Sequence, residues 1–179
     1  MREYLELPSI EFLKECFYLS ESGILTWKNR PDNHFSSRQI ATTWNSKNAG
    51  KNAGRKNKKE YFQVAINGVR YMSHRIVFKM LVSDVGTLQE IDHINGIHFD
   101  NRPSNLRLAT RSNNQYNVSI RADNTSGIKG VWPHSSGGFE ACVQHEKNRF
   151  SKLFRSKVEA EKWCIKTRNK LHKEFSNNG

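Results

Sequence analysis

The sequence predicts an α+β fold in two parts, and three observations carry that reading. Apolar and polar residues alternate on both sides of Asn67-Gly68, the strongest short hairpin signal in the chain, and a helical period follows in HRIVFKML. Residues 91–117, IDHINGIHFDNRPSNLRLATRSNNQYN, read as strand, loop, strand and helix. After residue 127, three alternating stretches give way to a second helical period, which marks a separate module. The expected division is 1–120 and 121–179.

The elements follow in order. Pro8 and Ser9 introduce a short helix in which Ile10, Leu13 and Phe17 share a face. FYLS and ILTWK, with ESG between them, read as strand, turn, strand. Residues 44–59, WNSKNAGKNAGRKNKK, are expected to form a polar basic loop in which the tetrad Lys-Asn-Ala-Gly is written twice. The Asn67-Gly68 hairpin leads into a helix from His74 to Leu81, packed through Ile76, Val77 and Met80. In LRLAT, Leu106 and Leu108 alternate toward a core, and Thr110 or Ser112 caps a helix on which Asn114 and Asn117 share a face. GVWPH, FEACVQH and FSKLFR then give three antiparallel strands. The helix that covers them carries Ala160, Cys164, Thr167, Leu171 and Phe175 on one stripe beside Trp163, which leaves the other sheet face open.

Charge narrows the class of partner. Twenty-nine Lys and Arg against 17 Asp and Glu give +12 over 179 residues. The excess is uneven: residues 41–75 hold eight basic and one acidic side chain, 76–120 hold four of each, and 121–179 hold twelve and six. Basic flanks around a neutral centre suit a polyphosphate partner such as double-stranded DNA. Cys16, Cys142 and Cys164 are scattered with no CxxC pair, which argues against a disulfide framework or a structural zinc site. No stretch is apolar and long enough to span a membrane, and MREYLELPSIEF lacks the apolar core of a signal peptide. A cytoplasmic protein is expected, in the host cytoplasm if the gene is a phage one.

The neutral centre holds the chemistry. Its pattern, DHINGxxxDNRxxNLRxxTxxxN, resembles the catalytic unit of the HNH nucleases, the ββα-metal fold, in its His-Asn-Asn form. The preceding Asn-Gly hairpin and HRxxxxM segment resemble what comes before that unit in phage HNH proteins. The resemblance implies His93 as general base, Asp92 and Asn114 as ligands of one divalent ion, and Asn105 as a bridge between loop backbone groups that steadies His93. Histidine suits the base because it titrates near neutrality. Carboxylate and carboxamide oxygens are hard ligands, which favours Mg²⁺ or Mn²⁺, with water and substrate completing the shell. The basic 44–59 loop adds candidate phosphate contacts at Lys51, Arg55 and Lys56, Arg75 is a further one, and Asn117 is either a support for the metal site or a phosphate contact. His74 reads as a capping or packing histidine.

The C-terminal module resembles the apetala and ethylene-response-factor DNA-binding domain that accompanies many phage HNH endonucleases, through GIKGV, FEACV and a helix containing EAEKW. The resemblance implies that its open sheet face enters the major groove, with Lys129, Trp132, His134, Arg149 and Lys152 as the contacting residues. Lys152-Leu153-Phe154 stands where that family has a Leu-Gly pair. The combined expectation is a site-specific, homing-type HNH endonuclease that acts as a monomer without a small-molecule cofactor, and that nicks because it has one base and one ion. Two other readings use parts of the same sequence. A DNA-binding regulator with a degenerate HNH fold would not need the Asp-His pair, and a nonspecific defence nuclease would not need a recognition domain.

Overall fold

In the computed structural model, which describes residues 4–82 and 84–179, helices and small antiparallel sheets form two compact units. The first ends at Leu108, and the second runs from Ala109 to Gly179. The junction therefore comes earlier than residue 120, and the short helix that carries Asn114 belongs to the second unit.

In the first unit, Ser9 caps α1 (Ile10–Cys16) by accepting a bond from the Phe12 N–H at 3.2 Å. Phe17 is extended and opens β1 (Phe17–Leu19), which pairs with β2 (Leu25–Trp27). Next comes α2 (Arg38–Asn48), capped by Ser37, where a loop was expected from Trp44 on. Its polar sequence hides two anchors one turn apart, the buried Ala41 and Trp44, whose ring meets Trp27 edge-on at 4.8 Å. The rest of the basic stretch is also tied down: Lys51 accepts from the Trp27 N–H at 2.9 Å, and Ala53 is buried.

The strands β3 (Arg55–Lys56), β4 (Phe62–Ile66) and β5 (Val69–Met72) form one antiparallel sheet. Asn67 and Gly68, at φ 49° and 81°, make the tight turn between β4 and β5, a conformation that Asn and Gly tolerate. Inward-facing Val64 and Ile66 pack with Ile76 and Val77 of α3 (Ser73–Leu81) and with Leu13, Phe17 and Leu25 in one core. β6 (Glu90–His93) pairs with β7 (Leu106–Ala109), and Leu106 anchors that hairpin in the core. Leu108, expected inside, is 37% exposed, so a single leucine fixes the strand.

In the second unit, Thr110 caps α4 (Arg111–Tyr116) through the Asn113 N–H at 3.1 Å. The strands β8 (Val131–Pro133), β9 (Phe139–His145) and β10 (Asn148–Phe154) form an antiparallel sheet in the order β10-β9-β8. α5 (Lys157–His172) covers one face, packing Ala160 and Cys164 on Val131, Ala141 and Val143. The fully buried positions of α5 run Ala160, Cys164, Arg168, His172; Trp163 and Leu171 of the expected stripe pack against the same core and Phe175 is buried just past the helix, so two polar groups join the apolar stripe. Arg168 donates to the Lys129 carbonyl at 2.6 Å, and the His172 ring bonds the Gln144 carbonyl at 2.9 Å. These bonds make the burial tolerable. No helix among the described residues is long and apolar enough to cross a membrane.

Candidate functional site

β6 ends on Asp92 and His93, each 3% exposed. The strand breaks at once: Gly96, at φ 71°, donates its N–H to the His93 carbonyl at 2.8 Å and starts the loop that returns to β7. That loop is held by Asn105. Its Oδ1 accepts from the Asn95 N–H at 3.0 Å, and its Nδ2 donates to Asn95 Oδ1 at 2.9 Å and to the Asp100 carbonyl at 2.8 Å. Arg102 clamps the Asp100 carboxylate at 2.8 and 2.6 Å, which pulls that carboxyl down to about 2.

The amide that meets the His93 ring is that of Asn101, which spacing alone did not single out. His93 Nε2 lies 3.0 Å from Asn101 Oδ1. An amide oxygen only accepts, so Nε2 carries the proton and the basic lone pair falls on Nδ1. Burial lowers the His93 pKa from its ordinary value, and the Asn101 bond opposes that shift. The result is an imidazole biased toward its neutral, proton-accepting form. His74 packs edge-on against it at 5.0 Å and is itself pushed down to about 3 by burial, so it stays neutral. Gly23 adds a second support that composition could not reveal. A Cβ there would stand 2.1 Å from the Asn101 carbonyl oxygen, so only glycine lets the β1–β2 turn back the loop at this point.

Asp92 is held by Arg107 of the facing strand, whose Nε and Nη2 reach Oδ2 at 2.8 and 2.7 Å. Among the described residues, no group of three or more His, Cys, Asp or Glu is arranged to hold a metal. Of the two residues expected to hold an ion, Asp92 offers a carboxylate in the first unit and Asn114 a carboxamide in the second. That chemistry fits a hard divalent ion with water and phosphate in its remaining positions, and such an ion would share the carboxylate with Arg107. In the second unit Asn114 is half-buried on α4, and its N–H donates to the Thr110 carbonyl at 3.0 Å.

The expected DNA contacts sort into two groups. Lys51, Arg55 and Lys56 are exposed, and Lys56 lies 3.9 Å over the Phe99 ring. Arg75 is instead 2% exposed, donates to the Gln89 and Gly86 carbonyls at 2.6 and 2.9 Å, and stacks on Tyr4, so it staples the first unit together. Asn117 is buried at the end of α4, where Asn177 donates to its carbonyl at 2.8 Å. Lys129 is likewise turned inward: its ammonium bonds the carbonyls of Tyr116, Val118 and Asn177, and burial lowers its pKa to about 8. Arg75 and Lys129 share one cause, since a buried donor goes to the carbonyls that folding leaves without partners, whereas Asn117 is held as an acceptor.

The strand register separates the remaining sheet residues. Trp132 pairs with Glu140 and Arg149 with Gln144, which puts both on the face away from α5; Arg149 bonds Glu140 there at 2.8 Å. Lys152 pairs with the buried Ala141 and so lies on the α5 side, at the exposed edge strand. His134 follows β8, with Nδ1 2.7 Å from Ser136 Oγ.

Comparison with known proteins adds three findings. Residues 71–116 match the model of a family described as HNH endonuclease. A curated relative, protein 3.8 of Escherichia phage T7, is 33% identical over 87 residues, which make up 48% of this chain and 72% of that protein. A solved structure described as DNA binding and cleavage by the HNH homing endonuclease I-HmuI aligns over 94% of this chain and 92% of its own, with 18% identity and a TM-score of 0.42.

Proposed function

This chain belongs to the HNH endonuclease family, and from that premise we propose that it is a site-specific, divalent-metal-dependent DNA endonuclease of the homing type, which cuts one strand per encounter. The observation that carries the reading is the pairing of a buried His93, fixed through Nε2 by Asn101, with the neighbouring carboxylate of Asp92.

In the proposed mechanism, His93 Nδ1 takes a proton from the attacking water, and Asn101 holds the tautomer that makes Nδ1 the acceptor. Asn105 keeps the loop in the shape that presents both residues. Asp92 and Asn114 would hold one Mg²⁺ or Mn²⁺, which when bound supplies positive charge against the phosphoryl oxygens and the departing 3′ oxygen. Arg107 orients Asp92 for that task. Lys51, Arg55 and Lys56 give the first unit a cationic edge for phosphates.

In the second unit, Trp132, Arg149 and His134 remain available for groove contacts of the apetala/ethylene-response-factor kind, and Lys152 for a phosphate. A dedicated reading surface supports site-specific cutting over general degradation. One base and one ion support nicking by a monomer, acting in the host cytoplasm.

The test is cleavage of supercoiled plasmids carrying segments of the surrounding genome, with and without Mg²⁺. The expected result is an open circle cut at one place, abolished by EDTA and reduced about 10²- to 10⁴-fold in His93→Ala. Binding without cleavage would make the protein a regulator, and unselective degradation would remove the recognition role of the second unit.

A further inference from the structure

Rings of the first unit crowd around His93, and one of them has no part in the mechanism above. Tyr61 stacks on His98 with centroids 4.2 Å apart and planes 12° from parallel, and its own centroid is 6.0 Å from that of His93. His98 and His93 are 6.2 Å apart between centroids. His93 is buried, whereas His98 lies in the loop after Gly96 and is exposed. His98 Nδ1 sits 3.3 Å from the Lys59 carbonyl. A carbonyl only accepts, so Nδ1 carries a proton, and Nε2 makes no hydrogen bond among the described residues.

Resting on the reading of His93 as the base, we propose that His98 is the general acid of the same reaction and protonates the 3′ oxygen as it leaves. In an in-line displacement the attacking and leaving oxygens lie on opposite sides of phosphorus. An acid and a base that each stand one hydrogen bond, roughly 3 Å, from those oxygens can share one phosphate when both approach it from the same side. With ring centroids 6.2 Å apart, His93 and His98 are near enough for one phosphate to reach both, and they differ in the way the two roles require. The base is dry and tied to an amide oxygen, while the acid is open to solvent and can be reprotonated after each turnover.

The surroundings of His98 fix its ring. The Lys59 carbonyl accepts from Nδ1, and the stacked Tyr61 face sets the ring plane. Tyr61 and Lys59 precede β4, so the hairpin sheet positions the acid while the β6–β7 hairpin positions the base. His74 does not take the role, because burial lowers its pKa to about 3 and leaves it without a proton to give.

The step balances. Water gives a proton to His93 Nδ1 as its oxygen bonds to phosphorus. The bond from phosphorus to the 3′ oxygen breaks with its electron pair on oxygen, and that oxygen takes the proton from His98 Nε2. The products are a 5′-phosphate and a 3′-hydroxyl, after which His93 loses a proton to solvent and His98 regains one.

A leaving group that needs no proton separates this role from a structural one. The probe is a duplex spanning the mapped cut site, made with the natural 3′ oxygen or with a bridging 3′ sulfur at the cleaved bond, and assayed in Mn²⁺. His98→Ala and His98→Gln are expected to cut the oxygen duplex about 10²- to 10⁴-fold more slowly than the native protein. Both should fall within about 3-fold of the native protein on the sulfur duplex, whose thiolate departs unprotonated. Equal losses on the two duplexes, or no loss on oxygen, would overturn the proposal. His93→Ala should lose activity on both. A His93→Ala protein that cuts at the native rate removes the base reading, while the comparison of the His98 variants still stands on its own.

Discussion

The two units use their buried polar groups differently, and the contrast shows what net charge can and cannot say. Around His93, buried polar side chains bond one another and the loop: Asn101 meets the imidazole, Asn105 shapes the loop, and Arg107 holds a carboxylate. In the second unit, burial serves the scaffold, with Lys129 and Arg168 bonded to backbone carbonyls beneath a sheet whose open face keeps Trp132 and Arg149. A basic residue contributes to a nucleic-acid surface only when folding has not already used its donors. By that standard the donors of Lys51, Arg55 and Lys56 remain outward, whereas those of Arg75 and Lys129 are taken up by backbone carbonyls.

Substitutions put this contrast to the test. The largest effect is expected at Arg107, which with Asp92 forms a pair whose side chains are 17% and 4% exposed. Arg107→Met leaves a buried carboxylate without its guanidinium and should cost about 3–5 kcal/mol by urea unfolding. Millimolar Mg²⁺ should raise the melting temperature of this variant more than that of the native protein, since an ion can then replace the lost cation. A cost below about 1 kcal/mol would mean that the pair does not hold Asp92.

A smaller loss is expected at Asn101. Asn101→Ala should lower kcat about 10- to 100-fold with little change in KM, as removal of a group that orients a functional histidine does. An unchanged kcat would leave Asn101 a loop residue only. At the cationic edge, changing Lys51, Arg55 and Lys56 together to Ala should flatten the salt dependence of DNA binding by up to about 2.7 in log–log slope, close to 0.9 for each phosphate that is no longer neutralised. Trp132→Ala should instead narrow the gap between cognate and random DNA by roughly 1–3 kcal/mol. If both changes affect only the salt slope, the sheet does not read bases.

The gentlest probe is pH. His74 and His93 have folded pKa values below the ordinary histidine value, so the unfolded chain binds more protons as the pH falls under about 6.5. Stability should therefore be constant above that pH and decline below it, by about 1.4 kcal/mol per pH unit for each histidine held neutral, with the His74 contribution continuing toward pH 3. His74→Leu should make the decline shallower, which unfolding at pH 7 and pH 5 would reveal.

Much of this was legible in the sequence, for local reasons. Ser9 and Thr110 cap the helices they precede, and Asn67-Gly68 turns where it is written, because caps and tight turns depend on residues within a few positions. The motif likewise marked a short window in which Asp92 and His93 end a strand. Helix α2 was hidden because its anchors, Ala41 and Trp44, gain their value from Trp27, a residue far back in the chain.

The sequence by itself determined the α+β class, the strand–loop–strand–helix order around His93 and the excess of positive charge, since each depends on short-range periodicity or on simple summation. Tertiary structure alone decided which nitrogen of His93 carries the proton, which amide holds it, and which cations remain outward. Those outcomes depend on partners brought together across the fold: Gly23 against Asn101, Arg107 across from Asp92, and Tyr61 over His98. A hydrogen bond requires a distance and an angle, and residue order specifies neither.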